Sequence, residues 1–319
     1  MFVKRDNGYI QVMKHGIILL FLSISMVLHA QNSIDLFTIS GVYGMPATYQ
    51  NPLDGKGIES GLLMNLKVPI KVSERTIWFN DFTYTLYSIK TDLDPEPVDM
   101  LTSIKLHAFI LQTGISQKLN DQNGFQLLLV PRYTTDFKGS DPKNWQLGAI
   151  GLYEHRFTKK LLMRFGALYN GELFGPLVVP LIFTDWQVSD RWSITGLLPI
   201  HLKVNYKIND RLIMGFSHFG FITTYRINQE EFKSDYVERN SIDESLFLRW
   251  QMMGNLHLET RVGYSLSREY AQYAEDQKMD LRISLISIGD DRIQKNVNFN
   301  SGPIISLRLV YALPLDNAK

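Results

Sequence analysis

Residues 191–228, RWSITGLLPIHLKVNYKINDRLIMGFSHFGFITTYRIN, constrain the fold more than any other stretch of this chain. His201, Lys203, Asn205 and Lys207 alternate with Leu202, Val204, Tyr206 and Ile208. A period of two puts the polar set on one face of a β-strand and the apolar set on the other. Asn209-Asp210 then supplies a pair that tolerates the left-handed backbone of a tight hairpin, and a second aromatic-rich strand leaves from Leu212. The unit is a hairpin with one wet face and one greasy face. A soluble barrel would turn the greasy face inward and a membrane barrel would turn it outward, so the hairpin alone leaves both open.

The N-terminus separates them. Lys4, Arg5 and Lys14 precede a short apolar run, GIILLFLSISMV, and Leu28-His29-Ala30 ends in a small residue. This predicts a signal peptide over residues 1–30, leaving Gln31 as the mature N-terminus and residues 31–319 as the exported part. The run is well short of the roughly 20 apolar residues of a spanning helix. With no cysteine in the chain, lipid attachment at a cysteine, a disulfide scaffold and a thiol nucleophile are all excluded.

Beyond the leader, period-two segments follow one another with no helical period between them. They include Ile34–Tyr43, Ile77–Tyr87, Phe125–Phe137, Trp145–Phe157 and Leu256–Ser267. Short connectors near Asn120, Thr158, Ser189, Asn209 and Gly254 alternate with longer polar loops such as Asp92–Asp99, Gln229–Ser241 and Arg268–Lys278. That asymmetry is the habit of bacterial barrels, with tight periplasmic turns and long outer loops. A meander of this length must close or leave two exposed edges. The expected fold is therefore all-β: an antiparallel up-and-down transmembrane barrel of about 14 strands, within a range of 12 to 16. One segment is then surplus, and Leu281–Ile288 is assigned to an outer-loop hairpin. Pro199 marks a tight outer turn, whereas Pro131 and Pro180 have no obvious place in a strand.

Composition is compatible with this reading. Only every second residue of a barrel strand meets lipid, so a mean hydropathy of −0.09 and a charged fraction of 20% do not oppose a membrane location. The 33 Lys and Arg balance 32 Asp and Glu, which gives no basis for a nucleic-acid partner. Trp78, Trp145, Trp186, Trp192 and Trp250 fall near predicted strand ends, as headgroup-level girdles require.

Charged residues interleaved with apolar ones are the informative set. Arg132, Glu154, Arg156, Arg164, Lys203, Asn205, Lys207, Arg249, Glu259, Arg261 and Arg308, with Arg282 besides, are expected to face the lumen. On the lipid face an Arg or Lys at the midplane would cost about 2–4 kcal/mol each. By the same logic Arg at Val204 or Val262 should impair assembly, and Ser at Asn205 or Gly263 should not. Two uses of the lumen charges stay open: ion pairs that plug the barrel, or a basic pore that favours anions. The histidines are scattered over separate strands without ligand spacing, and no G-x-S-x-G or H-E-x-x-H occurs; no enzyme activity, metal or cofactor is expected.

The run ALYNGELFGPLVVPLIFTDWQVSDRWSITGLLP, the NYKINDR hairpin and the closing GPIISLRLVYALPL strand resemble a family of outer-membrane β-barrels known as domain of unknown function 6268. The resemblance implies fold and location, and no functional residues. Expected surroundings are outer-membrane lipid and lipopolysaccharide, the barrel assembly machinery and a small solute. The function expected is a passive, porin-like channel for small solutes with a bias toward anions; the alternative is a plugged barrel whose outer loops bind a partner or lipopolysaccharide.

Overall fold

A computed structural model describes residues 33–93 and 100–314, so the predicted leader and most of the loop Asp92–Asp99 lie outside the described residues. In chain order the strands are β1 (Ser33–Thr48), β2 (Gly55–Lys67), β3 (Ile70–Lys71), β4 (Thr76–Leu93), β5 (Ile104–Lys118) and β6 (Asn123–Thr135). Next come β7 (Trp145–Thr158), β8 (Leu161–Glu172), β9 (Gly175–Gln187), β10 (Trp192–Leu198), β11 (His201–Asn209) and β12 (Leu212–Arg226). The last are β13 (Tyr236–Met253), β14 (Leu256–Ser265), β15 (Glu269–Tyr273), β16 (Leu281–Ile283), β17 (Ile286–Ile288) and β18 (Gly302–Pro314).

Each long strand pairs antiparallel with its sequence neighbours, and β18 closes the ring by pairing with both β14 and β1. The result is a closed barrel of 14 strands, with β3 a continuation of β2 beyond Pro69. Strands β15, β16 and β17 belong to the β14–β18 loop, which accounts for the surplus segment over 281–288.

The short turns, the first strand's start and the last strand's end share one rim, because Ser33 pairs with Pro314. On the outside, large apolar side chains such as Leu127, Leu129, Leu147, Leu246, Val262 and Leu307 are exposed around the circumference. An uncovered apolar belt of this extent is the surface of a chain solvated by lipid. All five tryptophans stand exposed on it: Trp78, Trp186, Trp192 and Trp250 toward the short-turn rim, Trp145 at the start of β7 toward the other.

Two proline positions acquire a reason. The β5–β6 register passes from Ile110↔Arg132 to Thr113↔Leu129, so Pro131 sits where that ladder is already interrupted. Pro131 has no N–H to contribute there. The turn after β10 is Leu198-Pro199-Ile200, as the sequence implied. The charged loop expected over Gln229–Ser241 is shorter than predicted. From Tyr236 onward it is strand, since Tyr236–Asn240 pairs with both β12 and β15 and the alternation continues under polar residues.

Candidate functional site: a two-sided lumen

Inside the barrel lies a cavity of about 910 Å³, running from Ser33, Lys67 and Gln117 near the short-turn rim to Leu177 and Leu285 near the long-loop rim. Its size falls in the range of small-molecule sites. Its two walls differ. On β5–β9 the inward residues are Ile110, Leu128, Val130, Ile150, Leu152 and Val179, all buried and apolar. On β11, β13, β14, β18 and β1 they are charged.

The charged wall centres on Glu259, whose side chain has no solvent exposure. Its Oε2 accepts from Lys203 Nζ at 2.7 Å, and its Oε1 accepts from Arg308 Nη1 at 2.6 Å and Arg261 Nε at 2.7 Å. Arg249 Nη1 stands 3.9 Å from the same carboxylate and forks onto Asp35 at 2.8 and 3.2 Å. Strand alternation delivers all of these: Arg308 is the register partner of Glu259, as is Arg249 on the other side. Lys203 reaches across from β11, its stem over the Phe247 ring with the ammonium 4.9 Å from the centroid. Four cations therefore converge on two carboxylates in a low-dielectric space, leaving positive charge uncompensated.

A smaller polar group interrupts the apolar wall. Arg164 donates to Glu154 at 2.7 Å and stacks over Phe183 at 4.6 Å, with Arg156 and the buried Asp185 nearby along the same cavity.

Toward the long-loop rim the barrel is filled. The upper part of β12 leaves the wall and crosses inward, so that Arg226 pairs in parallel with Thr135 of β6. Glu172 at the top of β8 accepts from Arg132 at 2.6 Å and from the backbone N–H of Thr224 at 3.0 Å. Arg132 also donates to Gln146 at 2.8 Å and Thr223 at 3.1 Å. Arg239 is buried against the Tyr87 ring, 3.6 Å from its centroid, and lies 3.5 Å from Glu59. Glu238 binds both Arg282 and Arg292. The two Glu238 pairs tie the β14–β18 loop down over the lumen.

At the loop surface, Arg226 pairs with Asp141 at 3.1 Å and Glu275 at 3.3 Å, and Lys143 bonds Glu275. The Lys143 backbone N–H, followed by Arg226, holds the Asp141 carboxyl below the usual carboxylate range. Lys143 and Arg226 do the same for Glu275. Among the described residues no group of His, Asp and Glu is placed to hold a metal ion.

Residues 76–282 match the family model of a domain of unknown function, DUF6268. The chain belongs to this family. The matched segment runs from β4 into β16, so β1, β2 and β18, which close the ring, lie outside it. Among solved structures, three are similar to this DUF6268 chain. The COG4313 outer membrane channel from Pseudomonas putida F1 is 10% identical, with 91% of this chain and 98% of that one covered and a TM-score of 0.43. A FadL homologue from Pseudomonas aeruginosa is 14% identical over 88% and 90% of the two chains, with a TM-score of 0.42. A TodX monoaromatic hydrocarbon channel mutant is 10% identical over 87% and 89%, with a TM-score of 0.40. No curated protein matches.

The residues singled out in the DUF6268 sequence fall into five places. Lys203, Arg249, Glu259, Arg261 and Arg308 form the charged cluster, and Asn205 lines the cavity while donating to Ser193 Oγ at 3.2 Å. Glu154, Arg156 and Arg164 belong to the smaller group, and Arg132 to the inward seal. Lys207 stands apart: it is exposed at the short-turn rim and pairs with Asp210 at 2.7 Å. Arg282, expected to face the lumen, is in the loop strand β16, within the segment assigned to an outer-loop hairpin. Alternation within two residues of a turn does not guarantee a lumen position. Asp35 and Asp185 were missed, although each is the lone acid in an apolar strand and so carried the signal used for the others. Glu172 and Arg239 carried none, because their role depends on strands bending inward.

Proposed function

We propose that this outer-membrane β-barrel is a passive channel for small solutes and that it favours anions. The observation behind the reading is the excess of Lys203, Arg249, Arg261 and Arg308 over Glu259 and Asp35 on one wall of a roomy cavity. Fixed cations that are only partly compensated lower the barrier for an anion and raise it for a cation. No proton transfer or covalent step is involved; the residues act through charge and shape alone.

Purified protein in a planar bilayer tests this. Stable single-channel steps with anion preference are expected, and Lys203→Gln with Arg261→Gln should shift reversal potentials toward cations. A silent bilayer from protein that still migrates heat-modifiably on gels would remove the channel reading. A plugged barrel acting through its outer loops would then be the better account.

A further inference from the structure

The barrel wall has a gap. Strand β10 contains 7 residues, fewer than the roughly 9–11 that a tilted strand needs to cross a bilayer. Its pairing with β9 ends at Leu198↔Ile182, and its turn leads straight down into β11. Above that point β9 continues through Gly175–Leu181, and among the described residues its edge is met by the loop at β16, through Arg282, Ile283 and the Ser284 N–H. On the opposite side β12 pairs with β11 only as far as His201↔Phe219. One further bond, Gly220 N–H to Ile200 O at 2.8 Å, ends that ladder, and Thr224 N–H turns to the Glu172 carboxylate.

The sequence of β9 is suited to such an edge. Val178 accepts from Ser284 N–H at 2.9 Å on the gap side, so the backbone of Pro176 and Pro180, two residues away in each direction, faces the gap too. Proline is tolerated in a sheet where the missing N–H has no partner to serve. Pro180, which no regular wall explains, is accounted for by the gap.

The gap lies within the lipid belt. Val178 is paired with the exposed Tyr169, and Ile182 is four residues, about 13 Å, farther toward the short-turn rim. Its frame is mostly apolar: Leu177, Val179, Leu197, Ile200, Phe221 and Leu285 all border the central cavity there, with His218, which donates to Pro199 O at 2.9 Å, as a polar member. Over it rests the β16–β17 hairpin, held on β9 by two register pairs and the Ser284–Val178 bond. Leu285 and Ile286 at its tip are 62% and 66% exposed, an arrangement that fits lipid better than water. Lys203, which opens the cation cluster, is three residues along β11 from Ile200, about 10 Å from the frame.

We infer that this gap is the outer opening of the channel: a side window, covered by the β16–β17 hairpin, that passes small organic anions with an apolar body between the outer leaflet and the lumen. The apolar body meets the frame and the β5–β9 wall while the charged end meets the Lys203–Arg308 cluster. The filled long-loop end is then the consequence of a route that leaves sideways. This rests on the channel reading above.

The chain has no cysteine, so a single engineered disulfide can test it cleanly. Val178 and Ile283 are parallel register partners, and the usual spacing of about 4.8 Å between paired strands lies inside disulfide range. Planar-bilayer currents carried by hexanesulfonate and by methanesulfonate, both permanently charged, would be compared for the wild type and the Val178→Cys/Ile283→Cys variant. The wild type should pass hexanesulfonate at least as well as the smaller anion. The oxidised variant should lose at least tenfold of the hexanesulfonate current and regain it on reduction, which also shows that the variant is folded. Equal currents before and after reduction, in a conducting protein, would overturn the window and leave the channel standing. Faster passage of methanesulfonate through the wild type would overturn the apolar-body class. No wild-type current for either anion would overturn the channel, and the window with it.

Discussion

The two walls of the lumen are built by the same alternation and end with opposite chemistry. On β11, β13, β14 and β18 polar and apolar residues take turns, so the outward face is apolar and the inward face charged. Over the middle of β5–β9 the inward face is apolar too, as the runs LLLV over 127–130 and LVVPLIF over 177–183 show. Lipid dictates the outside of every strand and dictates nothing about the inside. The charged wall must therefore satisfy its own electrostatics, whereas the apolar wall has only to fill space, and the two should fail differently under substitution.

The largest difference is expected at Glu259. It is the one carboxylate shared by Lys203, Arg261 and Arg308, and its removal leaves three cations facing one another out of water. Glu259→Leu should destabilise the barrel by about 3–5 kcal/mol, the scale for breaking a buried ion pair from one side. Denaturant unfolding in lipid would read it. On the apolar wall Leu152→Ala borders existing space and should cost less. A smaller loss at Glu259 than at Leu152 would mean that the charged cluster is hydrated enough to reorganise.

Inside against outside comes next. Val262 is exposed on the belt, and Val262→Arg should cost up to about 2–4 kcal/mol, less if it lies toward the interface. Asn205→Ser, on the cavity side, should stay within about 0.5 kcal/mol. Gly263 corrects the simple facing rule. It shares the inward face, yet a Cβ there would stand 2.0 Å from the Glu244 carbonyl oxygen, so Gly263→Ser should impair assembly although it is not a lipid-facing change. Folding yield into vesicles separates the three; a Gly263→Ser protein that folds like Asn205→Ser would show that the strands can spread at that point.

What could be read in the sequence follows from period and turns. Alternation fixes which side of a strand a residue takes, so the ring, the strand number and the common rim of the short turns were legible, and the charged residues could be named as inward candidates but not seen to meet at Glu259. Hairpin strands of ordinary appearance hid the rest. Nothing local in Thr223, Thr224 and Arg226 announces that β12 abandons the wall, because the partners that satisfy it, Glu172 and Thr135, are far away in the chain. Pro180 was the visible trace of the gap and could not be interpreted without knowing that β10 stops short. The apolar wall was overlooked because attention to charges passes over strands whose two faces look alike.

Charge selectivity should separate two lysines only four residues apart on the same face of β11. Lys203 is in the cluster and Lys207 pairs with Asp210 at the rim. Lys203→Gln should move the reversal potential in a salt gradient, and Lys207→Gln should leave it within error. Equal shifts would place the selective region at the short-turn rim instead of at Glu259.

The smallest effect concerns the loop that lies over both walls. Asp141 and Glu275 are half-buried, and both carboxyls are held below the usual range, the first chiefly by the Lys143 backbone N–H, the second by the Lys143 side chain, and each also by Arg226. A depressed carboxylate contributes in full above its unfolded pKa, and the contribution disappears as pH falls through the folded value. The tie between the loop and Arg226 should thus be constant at neutral pH and weaken in acid, below about pH 4. Raising the pH toward 9 should change nothing, because the carboxylates are already ionised. Amide exchange over residues 266–280, after correction for the intrinsic pH dependence of exchange, should show protection falling on acidification. Asp141→Asn with Glu275→Gln should lower that protection at pH 7 and flatten its response to acid. Protection that rises as the pH drops would show that these carboxylates repel something in the loop more than Arg226 holds them.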